Sequence, residues 1–176
     1  MDFIKVTKSW IQSFVIGLNI CPFASLPFRE DKIRYRLEES VSTEKLVETL
    51  MEELNILQHN KNTEIETSIL IHPNVLLDFL DYNDFLSIAE AVLEEMDLEG
   101  EIQIASFHPD YQFAGEAKNA PSNYVTRSPF PMLHLLRECS VTKAIEIHPN
   151  TKQIPFDNIQ KLNELGLEEI KKLNKT

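Results

Sequence analysis

Arg127-Ser128-Pro129-Phe130-Pro131 is the stretch whose residue types suggest chemistry most directly. Ser128 can cap a helix and Pro129 suits its first position, which leaves free backbone N–H groups facing outward. Such a helix start carries partial positive charge and takes anions. Arg127 would add a forked, permanently charged donor set, so a phosphate or carboxylate would fit there. Further along the same expected helix, His134 and Arg137 stand three residues apart, on one face.

Two other segments carry reactive types. His108 opens a long connection, His108 to Arg127, that shows no clear periodicity and holds Tyr111, Gln112, Phe113, Asn123 and Tyr124. Loops of this length within compact domains are usually functional or disordered, and the aromatic content argues against disorder. Imidazole titrates near neutrality, so His108 or His134 could act as general acid or base. Tyr111, Gln112 and Asn123 could orient a substrate. Cys21 follows the first expected helix, and a helix C-terminus disfavours the thiolate. As a nucleophile it would need Arg127, His108 or His134 brought close by the fold. Each of these residues also has a plain structural reading: a buried small thiol, a core histidine, an arginine paired to one of many acids.

His-Pro recurs at His72-Pro73, His108-Pro109 and His148-Pro149, each after an apolar run that reads as a strand. Proline ends a strand well because it offers no ladder donor. Parallel strands would gather these ends at one sheet edge, where α/β proteins usually place their sites. A metal site would then have to be assembled from His72, His108, His134 and Cys21. No His-Glu-x-x-His, phosphate loop or Gly-x-Ser-x-Gly occurs, and four glycines make a nucleotide cradle improbable.

The elements that must position these groups follow from apolar spacing. Phe3, Val6, Trp10, Ile11, Phe14 and Leu18 fit one face of a helix that stops before Pro22. Ile33 to Leu37 reads as a strand with Ile33, Tyr35 and Leu37 on one side and Arg34 and Arg36 on the other. Ser42 caps a second helix. Glu66 to Ile71 is a strand, Asp84 caps a third helix, and Glu101 to Phe107 is a strand. The spacing then predicts a fourth helix from Ser128 to Cys139, a fourth strand from Lys143 to Ile147, and a last helix from near Pro155 to Leu165, closed by Gly166. This is an α/β (or alternating α+β) class: about four strands in a single sheet with helices packed on it. Residues 1–173 make one domain, and 174–176 a frayed tail.

The 176 residues carry 17 Lys and Arg against 28 Asp and Glu, a net charge of −11. That excludes a general nucleic-acid coat and docking on anionic membranes. The acidity is local: residues 38–99 hold 16 acids and 2 bases. There is no apolar run near 18 residues and no signal-peptide pattern, so a cytoplasmic location is expected. The two cysteines read as reduced thiols and form no disulfide framework.

Three long segments resemble a bacterial family described only as a domain of unknown function (number 1415). They are Gly17-Leu18-Asn19-Ile20-Cys21-Pro22-Phe23-Ala24, Ser106-Phe107-His108-Pro109-Asp110-Tyr111-Gln112-Phe113-Ala114, and Arg127-Ser128-Pro129-Phe130-Pro131-Met132-Leu133-His134-Leu135-Leu136-Arg137-Glu138. The similarity runs over nearly the whole chain and departs at Phe130, where the family pattern has tyrosine. It implies a small bacterial protein and supplies neither an activity nor a catalytic residue. Three functions stay open: an enzyme on an anionic small molecule or peptide, a His/Cys metal binder, and a non-catalytic protein-interaction module. Cofactor and oligomeric state are left open by the sequence.

Overall fold

The computed structural model describes residues 1–61, 63–148 and 150–174. Four strands form one mixed sheet: β1 (Ile33–Leu37), β2 (Thr67–Ile71), β3 (Ile102–Phe107) and β4 (Met132–Arg137), in spatial order β1-β2-β4-β3. β1 and β2 are parallel, and β4 runs antiparallel to both β2 and β3. The C-terminal ends of β1, β2 and β3 therefore share one edge with the start of β4.

Helices cover both faces, which makes three layers. One face carries α3 (Thr43–His59) and α4 (Phe79–Glu95). Leu46, Leu50, Leu54, Tyr82, Phe85 and Leu93 pack there on Leu70, Ile102, Leu133 and Leu135. The other carries α1 (Phe3–Trp10), a π-helical turn (Ile11–Ile16), α6 (Ile154–Leu165) and α7 (Leu167–Asn174), and the short α2 (Ser25–Arg29) precedes β1 in the chain. Trp10, Phe14, Leu162 and Ile170 meet Ile33, Ile69, Ile71 and Met132 on this side. Period-two alternation sends neighbouring strand residues to opposite layers. On β1 it puts Tyr35 and Leu37 with α1, while Arg34 reaches Glu53 of α3 at 2.8 Å.

Local chemistry explains the helix starts. Asp2 accepts from the Lys5 N–H, Ser42 from the Lys45 N–H, and Asp78 from the Leu80 and Asp81 N–H groups. Ser42 is the expected cap. Asp84 is not: the third long helix begins at Phe79, and Asp84 lies inside it.

Two further expectations need correction. Met132–Arg137 is a strand, and the helix expected from Ser128 does not form. Lys143–Ile147 lies in α5 (Glu138–Ile147) and is not a strand. β4 lies mid-sheet with helices over both faces, so Leu133 and Leu135 face one apolar layer and Met132 the other. A short apolar run of that kind has no periodicity that separates strand from helix. Ladder bonds to β2 and β3 decide it. Asn174, placed in the tail from sequence, ends α7 and accepts from Trp10 Nε1 at 3.0 Å. Residues 175–176 and Pro149, the proline of the third His-Pro step, lie outside the described residues.

Gly166 separates α6 from α7 at φ 79° and ψ 155°, a region open only to glycine. A Cβ there would meet no neighbour. Gly166→Ala therefore acts through the backbone alone and should cost about 1–3 kcal/mol. Urea denaturation checks it; a change under a few tenths of a kcal/mol would mean the turn relaxes freely.

Candidate functional site

The shared strand edge holds two of the three His-Pro histidines, both against Tyr82. The His72 ring stacks on Tyr82 at 5.8 Å, and the His108 ring lies 5.0 Å from it, tilted. Tyr82 reaches them from α4. Its hydroxyl accepts from the Phe107 N–H at 3.0 Å and donates to the Met132 carbonyl at 2.9 Å. Phe107 and Met132 are register partners, so the phenol is wedged into the last rung between β3 and β4. Tyr82 was not legible as a site residue, since it falls on the apolar face of a helix.

Both histidines are fully buried. His72 donates from Nδ1 to the Val75 carbonyl, and its Nε2 is enclosed without a partner. Burial pulls its pKa down to about 4. His108 accepts from the Asp110 N–H at Nδ1 and donates from Nε2 to the carbonyl of Leu76, whose φ is 57°. Its pKa is also lowered, chiefly by burial. With both nitrogens engaged, His108 holds the turn that follows β2 and starts the long loop; neither nitrogen is open to a substrate.

That loop builds itself from the polar groups expected to meet a ligand. Asn123, fully buried, accepts from the Phe113 N–H and donates to the carbonyls of Ala117 and Lys118. Gln112 donates to the Glu116 carbonyl. The Tyr111 ring packs on Phe79 and Phe113. Ser128 caps no helix and donates its hydroxyl to the Phe130 carbonyl at 2.6 Å.

Arg127 differs from these. Its residue surface is only 6% exposed. Nε donates to the Tyr111 carbonyl at 2.9 Å, Nη2 donates to the Lys118 carbonyl at 2.7 Å, and the guanidinium lies 4.7 Å over the Tyr124 ring. Among the described residues no carboxylate pairs with the group. A chain with 28 acids thus keeps a largely buried cation that, among the described residues, has no carboxylate partner.

The remaining candidates are dispersed by the strand β4. His134 and Arg137 point to opposite faces because they are three apart on a strand, not on a helix. His134 donates from Nε2 to the Thr67 hydroxyl at 2.8 Å, and that hydroxyl donates on to the Leu135 carbonyl. Burial lowers its pKa to about 4. Arg137 donates to the carbonyls of Asn60 and Ile65, closing the turn after α3. Cys21 lies past the π-helical turn, beside Ile20, whose carbonyl accepts from Asn158 of α6. Burial raises the Cys21 pKa, the wrong direction for a nucleophile. Among the described residues no three His, Cys, Asp or Glu side chains come together as a metal group. His72 and His108 share a face, while His134 lies across the sheet.

An open groove of about 400 Å³ runs beside the loop. Pro109, Tyr124, Ser128, Pro129 and Phe130 form its loop wall, and Val6, Lys171 and Asn174 the helical one. Tyr124 belongs both to this wall and to the Arg127 stack. The volume lies in the range of small-ligand sites. Lys171, from α7, is a lining cation that no motif in the sequence marked. Among the described residues no helix is long and apolar enough to cross a membrane.

No curated protein and no solved structure matches this chain. A family model matches residues 2–172, and the segments that form the loop, the groove wall and β4 all fall inside it. The chain belongs to the family described as Protein of unknown function (DUF1415).

Proposed function

We propose that the protein binds a small amphipathic anion, a carboxylate or phosphate with an apolar body, in the groove beside Arg127. The observation that carries this reading is the buried guanidinium with no carboxylate partner, stacked on a tyrosine that also lines the groove. Burying an unpaired charge is expensive, and an anion from solution would offset that cost. Lys171, whose ammonium is 3.8 Å from Glu168 and half-exposed, adds positive charge on the far wall. Pro109, Pro129, Phe130 and Val6 suit an apolar body. Binding is favoured over turnover because His108 and Asn123 already spend their polar atoms within the fold.

Trp10, the single tryptophan, reports on this groove. Its indole N–H donates to Asn174, which lines the groove. Octanoate and phenyl phosphate should shift Trp10 emission and raise the melting temperature. Acetate and inorganic phosphate should act at least about tenfold more weakly, because burying a few methylenes adds more than 1.4 kcal/mol. Lys171→Gln should weaken octanoate up to about fivefold, as an exposed charge contributes roughly 0.2–1 kcal/mol. If none of the four probes moves the emission or the melting point at millimolar concentration, the reading is wrong.

A further inference from the structure

The outer side of α4 is the least explained surface of the molecule. The helix buries Tyr82, Phe85, Ala89, Val92 and Leu93. On the opposite side Leu80 is 70% exposed and Ile88 49%, and Leu77, just before the cap, is 59% exposed. Leu80, Asp84 and Ile88 are spaced by four, so they form one ridge along the helix, the kind of row that a second helix packs against. Among the described residues nothing covers it.

The charge around the ridge is of one sign. Asp81, Asp84, Glu94 and Glu95 are exposed beside it, and there is no Lys or Arg between Lys61 and Lys118. Among the described residues none of the carboxylates of α4 takes part in an ion pair. A second copy would set the same acids against each other. Nucleic acid and anionic lipid are repelled for the same reason. We infer that the outer face of α4 docks a basic amphipathic helix of another protein. The partner's aliphatic residues pack along Leu80 and Ile88, and its flanking Lys or Arg side chains meet Asp81, Asp84 and Glu95. This surface is distinct from the groove at Arg127 and stands or falls separately.

The test uses the intact protein and two labelled 18-residue Leu/Lys peptides of identical composition. One has its leucines on a single helical face; the other is scrambled so that no face is apolar. Fluorescence anisotropy should show the amphipathic peptide binding at least about tenfold more tightly than the scrambled one. The double variant Leu80→Ser/Ile88→Ser should lose at least about tenfold for the amphipathic peptide with an unchanged melting curve, since both side chains are exposed. Binding should weaken severalfold as salt rises and screens the carboxylates. Lys171→Gln should leave it unchanged. Equal binding of the two peptides, or an undiminished affinity in the double variant, overturns the inference. So does a homodimer in sedimentation that the double variant dissolves, because the ridge then belongs to a second copy.

Discussion

Lowering the pH from 7.5 to 4.5 should remove on the order of 5 kcal/mol of folding free energy through two histidines alone. His72 and His134 have native pKa values of about 4, against an ordinary 6.5. In this window the unfolded chain binds protons that the native one refuses. The unfolded state is therefore favoured as pH falls, and stability rises with pH between about 4 and 6.5. Each shift of roughly two and a half units is worth on the order of 3 kcal/mol when fully expressed, and most of it is expressed by pH 4.5. The structural cause is specific. A proton on His72 Nε2 would sit in an enclosed space with no acceptor. His134 already donates from Nε2, and desolvation of its ring disfavours a second, charge-bearing proton. His108 pulls the same way, because a proton on Nδ1 would face the Asp110 N–H.

The acidic surface opposes this trend. A net charge of −11 repels itself, and neutralising it on the way to the isoelectric point near 4.9 relieves the strain. The raw stability profile is thus shallower than the histidine contribution. A comparison isolates it. Urea midpoints for the native sequence and for His72→Gln/His134→Gln, measured at pH 7.5 and 4.5, should differ in slope by about 5 kcal/mol, with the double variant the flatter. Parallel profiles would mean that these imidazoles titrate normally, and the burial argument would fail.

The second large effect is expected at Tyr82. Tyr82→Phe keeps the ring against His72 and His108 and removes only the hydroxyl wedged between β3 and β4. The Phe107 N–H and the Met132 carbonyl then lose their partner together. Buried groups left unpaired cost about 1–3 kcal/mol each, so a loss of about 2–4 kcal/mol is expected unless the two groups close on one another. For a chain of this size that corresponds to a melting temperature lower by roughly 5–10 °C. Amide hydrogen exchange should quicken at Phe107 and His108 more than at β1. A loss under about 0.5 kcal/mol would show that the rung re-forms directly and that the phenol only fills space.

Much of the frame was written in local pattern. β1, β2 and β3 lie within a residue of where alternation puts them, because each has one end marked by a turn or a proline. Ser42 caps its helix through a bond that spacing alone implies, and Gly166 ends α6 with a backbone angle only glycine accepts. The α/β class follows from these alternations. The gathering of His72 and His108 at one edge was conditional on strand direction, and the sheet supplies it because β2 and β3 run the same way.

The roles of the candidate residues were not written there. Whether Met132–Arg137 is strand or helix turns on ladder bonds to segments some 30 and 65 residues away in sequence, and its apolar run carries no period to betray them. That one choice removes the helix start at Ser128, parts His134 from Arg137 across the sheet, and leaves Lys143–Ile147 as helix. The same holds for the loop, where Asn123, Gln112 and Arg127 could serve a ligand or the backbone. Only the carbonyls folded around them decide, because a buried amide must find a partner wherever the chain offers one. Residue types along the chain determined the α/β class and the acidity of α3 and α4. Tertiary structure decided which polar atoms remain unspent, and among the described residues it left Arg127 without an acid and Leu80 and Ile88 without a cover. Hydrogen-bond and charge satisfaction are settled by contacts between distant segments, and local spacing does not encode them.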